Sequence, residues 1–570
     1  MKKTLLSTLV VAMLLGGSGA CLAQAPAGGL KPLVTVSFSG YNELLSDVEF
    51  LGNLGGNPEV GKALEGFLVL ATQGKGLAGL DKSKPWAVLV QTDGMQFPAV
   101  GYVPVTDLSQ LLDVLTGMGI TSEDTGDGTF QLETEGPPLF VKEQGGWAMV
   151  SNTAETLAGA PADPLQSLGG LEKKYDLAVR ASVKNIPPMM RQRGASILKD
   201  LAKLLPQWLL GVNGANDALG TGASEKAVDQ LLSEVDDLDE VLIGWALDQS
   251  TGTTFLDLEV TAVEGTKTAA QFAQIAEMAT NFAGFDLPGA AVTGNWANTL
   301  SDAEVAQMKS RIAAYRAAAL KYVEDEDLSA AEVEQAKQLI GDLLDVAEKT
   351  VETKEGHGGV VMMLDPDAVT FVTGGNLAEG AKLEGVIKQL YQLASKDSPE
   401  LAQLVKLDAE THAGIRLHTV AIPMPPDQEE AVKLFGPTLN VVLGISETSI
   451  YLAGGSDAMA TLKQVIDKSQ AEAGKQIPPI RIAVAATPIA KFVAANAPDE
   501  GAKMMATMLA GQLEQSVGKD QLTITGKPIP GGASIRLELE EGVLKLIAEV
   551  GKIVQQQLMG GGGPPGGAPF

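Results

Sequence analysis

The sequence predicts an α+β fold of two tandem similar domains, each an antiparallel sheet covered by helices on one face. The first observation behind this prediction is an internal duplication, in which segments of the first half recur about 305 residues later. The second is the hydrophobic pattern, which alternates in strand-like segments and follows a helical period between them. With 45% hydrophobic and 20% charged residues, the chain has enough apolar side chains for buried cores.

The N-terminus has the pattern of a cleavable secretion signal. Positive charge at the start is followed by the apolar run 5–15, which is too short to span a bilayer. Cleavage is expected after Ala23, because cleavage after Ala25 would place the rigid ring of Pro26 directly after the broken bond. The sequence therefore predicts a signal peptide at 1–23 and a mature protein in the periplasm or secreted from a bacterial-type cell.

Cys21 is the only cysteine in the chain and lies inside the predicted signal. A lipoprotein signal would carry Leu three residues before this cysteine, whereas Ser18 is found there. Lipid anchoring through Cys21 is therefore not expected. Removal of the signal leaves no residue for a disulfide, a cysteine-ligated zinc ion or a thiol nucleophile.

The overall charge limits the possible partners. The formal net charge of −28 repels phosphate backbones and anionic lipid headgroups, so no nucleic-acid partner is expected. No segment after the signal has the length and apolarity of a transmembrane helix. The Gly/Asn-rich stretch 211–223 is expected to form a loop, and the Gly/Pro-rich tail 559–570 to be disordered.

The first repeat is expected to span 24–284. It opens with a strand at 33–38 and two helices, and a later strand lies at 176–183. Further strands at 86–90 and 97–103 flank a turn at Asp93 and Gly94. The helix that follows is expected to carry four leucines on one face: Leu108, Leu111, Leu112 and Leu115. A closing strand carries Leu256, Leu258 and Val260.

The second repeat is expected to span 285–558. Segment 481–488 matches 176–183, and 450–457 matches 147–154. Strands at 360–364 and 369–373 flank a turn at Asp365, Pro366 and Asp367. The helix that follows is expected to carry four apolar residues on one face: Leu383, Val386, Ile387 and Leu390. A closing strand carries Ile535, Leu537 and Leu539. A change in offset between these blocks predicts an insertion of roughly 30 residues, placed at 396–437.

A helical hairpin is expected at 301–352. Ser301 with Glu304, and Ser329 with Glu332, have the spacing of capping boxes, in which the two side chains bond each other's backbone N–H groups. Apolar residues follow each box at helical spacing, which favours two helices packed against each other.

Familiar catalytic motifs are absent from the sequence. His412 and His418, if they share one strand, would lie about 20 Å apart and could not bind one metal ion, and His357 is expected to lie in a linker. The segment from Gly454 to Ala458 lacks the final glycine of a nucleophile elbow, and Ser456 is interpreted as a helix N-cap.

The remaining polar motifs have simpler interpretations. Glycine pairs at 74–76 and 126–128 are expected to form turns and not phosphate loops, and the acidic runs 236–240 and 324–327 lack the EF-hand glycine. Asp365 and Asp367 are interpreted as turn residues and not as paired catalytic carboxylates. The tryptophans are expected in cores: Trp86, Trp147, Trp208, Trp245 and Trp296. No catalytic, cofactor-binding or metal-binding residue is predicted.

One motif carries a family resemblance. The segment from Tyr175 to Arg180, leading into Asn185 and two prolines, together with the signal and the Gly/Pro tail, resembles secreted planctomycete-type proteins of unassigned function. The resemblance implies export and supplies no active site.

The expected function is therefore a non-enzymatic envelope protein with a binding or scaffolding role, its partner a protein or an apolar ligand. One alternative is a hydrolase that depends on carboxylates or a divalent metal, which would gather ionisable groups of shifted pKa in one cleft. Another is a carrier with an apolar cavity between sheet and helices, of at least several hundred cubic ångströms. The oligomeric state stays open.

Overall fold

The computed structural model describes residues 29–134, 136–187, 190, 235–325, 329–398, 400–516 and 518–559. The predictions for the signal peptide, Cys21, the loop at 211–223, Trp208 and the tail from 560 onward lie outside these residues. The chain divides into two compact units, one formed by the residues up to Phe272 with Ile529–Ser534, and the other by the remainder.

The first unit mixes helices with one antiparallel sheet. In chain order its elements are β1 (Lys31–Phe38), α1 (Tyr41–Leu54), α2 (Val60–Ala71), β2 (Trp86–Thr92), β3 (Ala99–Pro104), α3 (Leu108–Gly117), β4 (Thr121–Gly126), β5 (Thr129–Glu133), β6 (Leu139–Gln144), β7 (Trp147–Ser151), α4 (Ala154–Gly159), α5 (Leu165–Leu168), α6 (Leu171–Lys174), β8 (Leu177–Ser182), β9 (Leu238–Asp248), β10 (Thr253–Ala262) and α7 (Lys267–Phe272). The spatial order of the strands is β4-β5-β6-β7-β3-β2-β1-β8-β9-β10, and every neighbouring pair is antiparallel.

Helices cover both faces of this sheet around β7. Leu112 of α3 packs in one cluster with Ala148 of β7, whereas Leu157 of α4 packs in another with Met149. Ala148 and Met149 are consecutive strand residues and therefore point to opposite faces.

The second unit has the same mixture of elements. They are β11 (Met278–Thr280), β12 (Val292–Thr299), α8 (Asp302–Asp325), α9 (Ala330–Glu352), β13 (Glu355–Asp365), β14 (Ala368–Asn376), α10 (Gly380–Asp397), α11 (Leu401–Leu404), β15 (Val405–His412), β16 (Ile415–Pro423), α12 (Glu429–Phe435), β17 (Thr438–Ile445), β18 (Ser449–Gly455), α13 (Ala458–Ala471), β19 (Lys475–Ile477), β20 (Ile480–Ala485), α14 (Ala486–Asn496), α15 (Glu500–Glu514), β21 (Gln521–Ile529), β22 (Gly532–Leu539) and α16 (Glu541–Met559). The end of β21 and the start of β22 fall within Ile529–Ser534, the segment that groups with the first unit. The stretch 396–437, where the sequence predicts an insertion, contains α11, β15, β16 and α12.

The strands of the second unit lie in the order β15-β16-β17-β18-β14-β13-β12-β20-β21, again all antiparallel. β22 returns beside β21, where the Glu540 N–H donates to the Gln521 carbonyl at 3.0 Å. β11 and β19 form a separate two-stranded pair.

Helices cover both faces here too. Val442 of β17 packs with Leu462 of α13, while Ile445 of the same strand packs with Val346 of α9 and Leu383 of α10. The prediction of one covered face is therefore wrong around β7 and β17. The physical reason is that strands such as β7 and β17 carry unbroken apolar runs, so each face of the sheet requires a packing partner.

Helices α8 and α9 form an antiparallel hairpin. Lys309 lies 2.6 Å from Glu352, and Arg316 lies 2.7 Å from Asp345, so positions rise along one helix as they fall along the other. A capping box begins α9, with the Ser329 N–H donating to the Glu332 carboxylate at 2.7 Å. No helix in the described ranges combines the length and apolarity that crossing a bilayer requires.

Candidate functional site

A small polar pocket lies on one face of β8, β9 and β10 in the first unit. Its volume is about 240 Å³. Leu242 lies in its lining, the charged side chains of Arg180, Glu240 and Glu259 surround it, and the turn at 169–170 bounds one side. The pocket therefore brings both signs of charge to one concave surface.

The strand register explains why these side chains share a face. Arg180 of β8 pairs with Leu242 of β9, which in turn pairs with Glu259 of β10. Ser182 pairs with Glu240, so Arg180 and Glu240 are diagonal neighbours, whose Cβ atoms in a sheet are about 7–8 Å apart.

Backbone groups hold the Arg180 guanidinium in place. Its Nη2 donates to the Ser167 carbonyl at 2.6 Å. Gly169, with φ of +62°, passes so close that a Cβ there would lie 3.3 Å from Nη1 of Arg180. The guanidinium is therefore fixed against the turn, with its Nε and Nη1 donors left for another acceptor.

Glu240 is held in a similar way. Its backbone N–H donates to Thr261 Oγ1 at 3.2 Å, and its carboxylate accepts from Ser182 Oγ at 3.3 Å. Among the described residues, neither Arg180 nor Glu240 forms an ion pair. Two opposite charges thus line one pocket without neutralising each other.

The other charged groups of the pocket are paired internally. Lys174 Nζ lies 2.7 Å from a Glu259 oxygen and 4.8 Å from the centre of the Tyr175 ring. The Tyr175 hydroxyl donates to Asp257 at 2.9 Å. Burial, followed by the Asp257 carboxylate, raises the pKa of Tyr175, which keeps this hydroxyl protonated as a donor. These contacts fasten α6 to the sheet.

The opposite face of the same strands is apolar and open to solvent. Leu177, Val179, Ile243 and Leu256 are each more than a third exposed. Val179 pairs directly with Ile243, while Leu177 and Leu256 both pair with Trp245, so these side chains form one continuous surface across β8, β9 and β10. We call these five residues the apolar face.

The second unit contains a cluster of ionisable side chains where α10 crosses β15 and β16. A bulge between Lys406 and Glu410 interrupts the pairing of these strands, and within it Asp408 adopts a positive φ of 50°. The Asp408 N–H donates to Nδ1 of His418 at 3.0 Å. The proton of a neutral His418 is therefore on Nε2, which lies 3.7 Å from Glu384 Oε1.

Two cations neutralise the two carboxylates of this cluster. Lys388 Nζ lies 2.7 Å from Glu384 and 2.7 Å from Asp408, and Arg416 forms a second ion pair with Glu384. The hydrogen bond from Lys388 lowers the pKa of Asp408, whereas burial lowers the pKa of His418. We call these five residues the ion cluster.

The ion cluster contains residue types that can also bind a metal ion. Among the described residues, Glu384, Asp408 and His418 are the one group whose possible ligand atoms all lie within 4.8 Å of one another. However, the Lys388 ammonium already bridges the two carboxylates, and a divalent ion would add charge to a balanced set. The arrangement therefore fits an internal ion-pair network better than a metal centre.

Two buried aspartates, Asp47 and Asp176, lie in the first unit. Asp47 of α1 is 2% exposed, and burial raises its pKa to about 6. Gln249 donates to one oxygen of this carboxylate at 2.8 Å. Burial also raises the pKa of Asp176, which accepts from the Leu247 N–H at 2.7 Å. Neither aspartate lines the pocket.

The three histidines lie on three different strands, β13, β15 and β16. His412 ends β15, with Nε2 2.6 Å from Asp467, and His418 lies on β16. The premise that His412 and His418 share one strand is wrong, because a turn separates them. His357 lies on β13 and not in a linker, and burial lowers its pKa.

Ser456 is not the N-cap of α13, and that interpretation is wrong. The cap position belongs to Asp457, and Ser456 Oγ donates instead to the Leu434 carbonyl at 2.9 Å. Asp365 is the last residue of β13, and Asp367 lies in the turn that follows.

The acidic runs make local contacts. Asp237 accepts from Thr268, Asp239 pairs with Lys184, and Glu324 pairs with Lys337. Residues 326–327 lie outside the described part. The glycines at 74–76 and 126–128 adopt positive φ in turns. Trp147 is buried, and Trp86, Trp245 and Trp296 are half-buried.

Sequence reasoning missed both groups of charged residues. One usable signal was Arg180, a charged residue that follows the apolar run 177–179 within one strand. No local pattern marks Glu240, or the partners Glu384, Asp408 and His418, because only strand register and helix crossing bring them together. No known protein family, curated protein or solved structure matches the chain.

Proposed function

We propose that this chain is an exported, non-enzymatic envelope protein that binds another protein through the apolar face. The observation that carries the proposal is the continuous exposed row across β8, β9 and β10, which includes Leu177, Val179, Ile243 and Leu256. Contiguous exposed apolar surface of this kind is typical of interaction sites.

The shape of the surface favours a protein over a small apolar ligand. The apolar face is an open sheet surface, whereas a carrier needs an enclosed apolar cavity of several hundred cubic ångströms. The pocket described above is smaller, is lined by charged groups and lies on the reverse side of the strands. The net charge of −28 disfavours an anionic membrane as the partner. The partner is therefore a protein with exposed aliphatic side chains.

The distribution of ionisable groups supports a binding role over catalysis. Groups whose pKa is shifted by burial do not line the pocket: Asp47 lies on α1 near Asp176, His357 lies on β13, and His418 lies in the ion cluster, where cations already neutralise the carboxylates. An enzyme site would gather such groups in one cleft.

We also infer that the two units are copies of one ancestral domain. Support comes from the strand order, since β1 to β10 take the same spatial order as β12 to β18 followed by β20 to β22. Export rests on the signal pattern at 1–23. Intact mass spectrometry of the native protein tests it, and a mature chain that begins at Gln24 is the expected result.

A photo-crosslinking amino acid at position 256, in cells that make the protein, tests the proposed function. A discrete adduct is expected, because Leu256 lies within the apolar face. The adduct should disappear when Val179→Lys is added on the same face and persist with Glu240→Gln on the reverse face. A crosslinker at Thr251, in the turn after β9, is the control for position.

Three results would overturn this proposal. They are the absence of an adduct at 256, an equal adduct from 251, and an adduct that survives Val179→Lys. An adduct with the mass of two copies of this chain would replace the partner protein with self-association. Circular dichroism on each variant establishes that it is folded.

A further inference from the structure

We propose that the pocket beside Arg180 and Glu240 binds a small zwitterion, such as an amino acid, with its carboxylate on Arg180 and its primary ammonium on Glu240. This binding site is on the reverse side of β8, β9 and β10 from the apolar face. It is therefore independent of the proposed protein partner.

The unpaired state of the two charges is the starting point. Arg180 and Glu240 are diagonal neighbours on one sheet face and line the same pocket, yet they form no ion pair with each other. Each is held back by its own contacts, Arg180 by the Ser167 carbonyl and Glu240 by Ser182. A ligand with both charges can satisfy both groups at once.

Ligands of a single charge fit less well. An anion on Arg180 would also face the unpaired carboxylate of Glu240, within a chain of net charge −28. A cation on Glu240 would face the Arg180 guanidinium. A molecule that carries both a carboxylate and an ammonium group is repelled at neither end.

The size of the pocket limits the ligand further. A volume of about 240 Å³ lies below the range of about 300–1,000 Å³ typical of sites for drug-sized molecules. An amino acid or an ω-amino acid has a suitable size, and its methylene groups can contact Leu242 in the pocket lining.

The site is already organised for this ligand. The Ser167 carbonyl and the close approach of Gly169, at positive φ, hold the guanidinium in place, so its remaining N–H groups can donate to a carboxylate. Lys174 and Glu259 also line the pocket. They are paired with each other at 2.7 Å and therefore add no net charge to it.

Titration calorimetry with a series of ω-amino acids tests the proposal on the full mature chain. The probes are glycine, β-alanine, 4-aminobutanoate and 5-aminopentanoate, with propionate and propylammonium as controls of a single charge. We expect saturable binding of at least one zwitterion. Each control should bind at least tenfold more weakly, since it meets only one of the two charged groups.

Matched variants locate the binding. Arg180→Gln and Glu240→Gln should each weaken binding at least tenfold, whereas Arg311→Gln and Glu143→Gln, at exposed positions elsewhere, should leave it unchanged. Gly169→Ala should also weaken it, because the added methyl group displaces the guanidinium. Thermal melting monitored by circular dichroism on every variant separates loss of binding from loss of folding.

Several outcomes would overturn the proposal. They are the failure of all four zwitterions to bind the folded protein, equal binding of propionate or propylammonium, and binding that folded Arg180→Gln retains. Val179→Lys should leave zwitterion binding unchanged, so failure here and failure of the apolar-face proposal can be told apart.

Discussion

The pocket of the first unit and the ion cluster of the second use the same residue types in different ways. In the ion cluster, Glu384 is paired with Arg416, and Lys388 bridges it to Asp408. In the pocket, Arg180 and Glu240 face one space and stay unpaired. The difference shows that residue composition alone does not identify a binding site. Charged side chains that are already paired with each other stabilise the fold, whereas unpaired ones are available to a ligand.

Burial separates the two regions as well. Glu384 and His418 are 6% and 3% exposed, whereas Arg180 and Glu240 are only half-buried. A buried charge requires a partner inside the protein, since desolvation would otherwise be costly. A half-buried charge can be solvated until a ligand arrives. The ion cluster is therefore expected to contribute to stability and the pocket to binding.

The largest expected effect is on the ion cluster. Arg416→Met removes one cation from the buried Glu384 carboxylate and should lower the free energy of unfolding by about 3 kcal/mol, the lower end for a broken buried pair because Lys388 remains. Urea denaturation followed by tryptophan fluorescence measures it. A change below about 1 kcal/mol would mean that the cluster is not a structural network.

The next effect concerns a buried carboxylate without a cation, Asp47. Its pKa of about 6 in the folded protein exceeds the ordinary value of 3.8, so folding favours the protonated form. The wild type should therefore lose stability as pH rises through 4 to 6. Asp47→Asn should remove this dependence and stabilise the protein at pH 8 by about 2 kcal/mol.

Urea denaturation of wild type and Asp47→Asn at pH 4 and pH 8 measures this effect. The two proteins should be equally stable at pH 4. Greater stability of the wild type at pH 8 would contradict the assignment. Asp93→Asn, at a turn where backbone N–H groups lower the carboxyl pKa, is a control that should not stabilise at pH 8.

A smaller effect is expected when the charges of the pocket are removed. Arg180→Gln and Glu240→Gln should each change the free energy of unfolding by less than about 1 kcal/mol, because neither residue has an ionic partner to lose. The same urea experiment applies. A loss of about 3 kcal/mol would show that the pocket charges stabilise the fold as the ion cluster does, and would contradict the proposed difference between the two regions.

The smallest effect belongs to the apolar face. Val179→Lys should change stability by no more than about 0.5 kcal/mol, since Val179 is more than a third exposed and a lysine there can extend into water. A cooperative loss of folding would show that this face is covered by the protein itself.

Much of the fold is readable from the sequence, because it depends on local patterns. Alternating apolar residues indicate β10, and the capping box at Ser329 marks the start of α9 where the structure has it. The covering of both sheet faces was missed, although the unbroken apolar runs in β7 and β17 carry that information.

The sites could not be predicted, because they depend on contacts between distant segments. Arg180 and Glu240 meet only through the register of β8 and β9, and a shift of one residue would send either side chain to the other face. Asp408 reaches His418 through a bulge with positive φ at a residue that is not glycine. No sequence pattern marks that bulge.

The most direct test of the contrast between the two regions is a crystal structure of the mature protein grown with the ω-amino acid that binds most tightly in titration calorimetry. The account predicts its carboxylate within hydrogen-bonding distance of Arg180, its ammonium group on Glu240, and an unchanged ion cluster around Lys388. An Arg180–Glu240 ion pair that closes an empty pocket, or the same ω-amino acid bound instead among Glu384, Asp408 and His418, would contradict it.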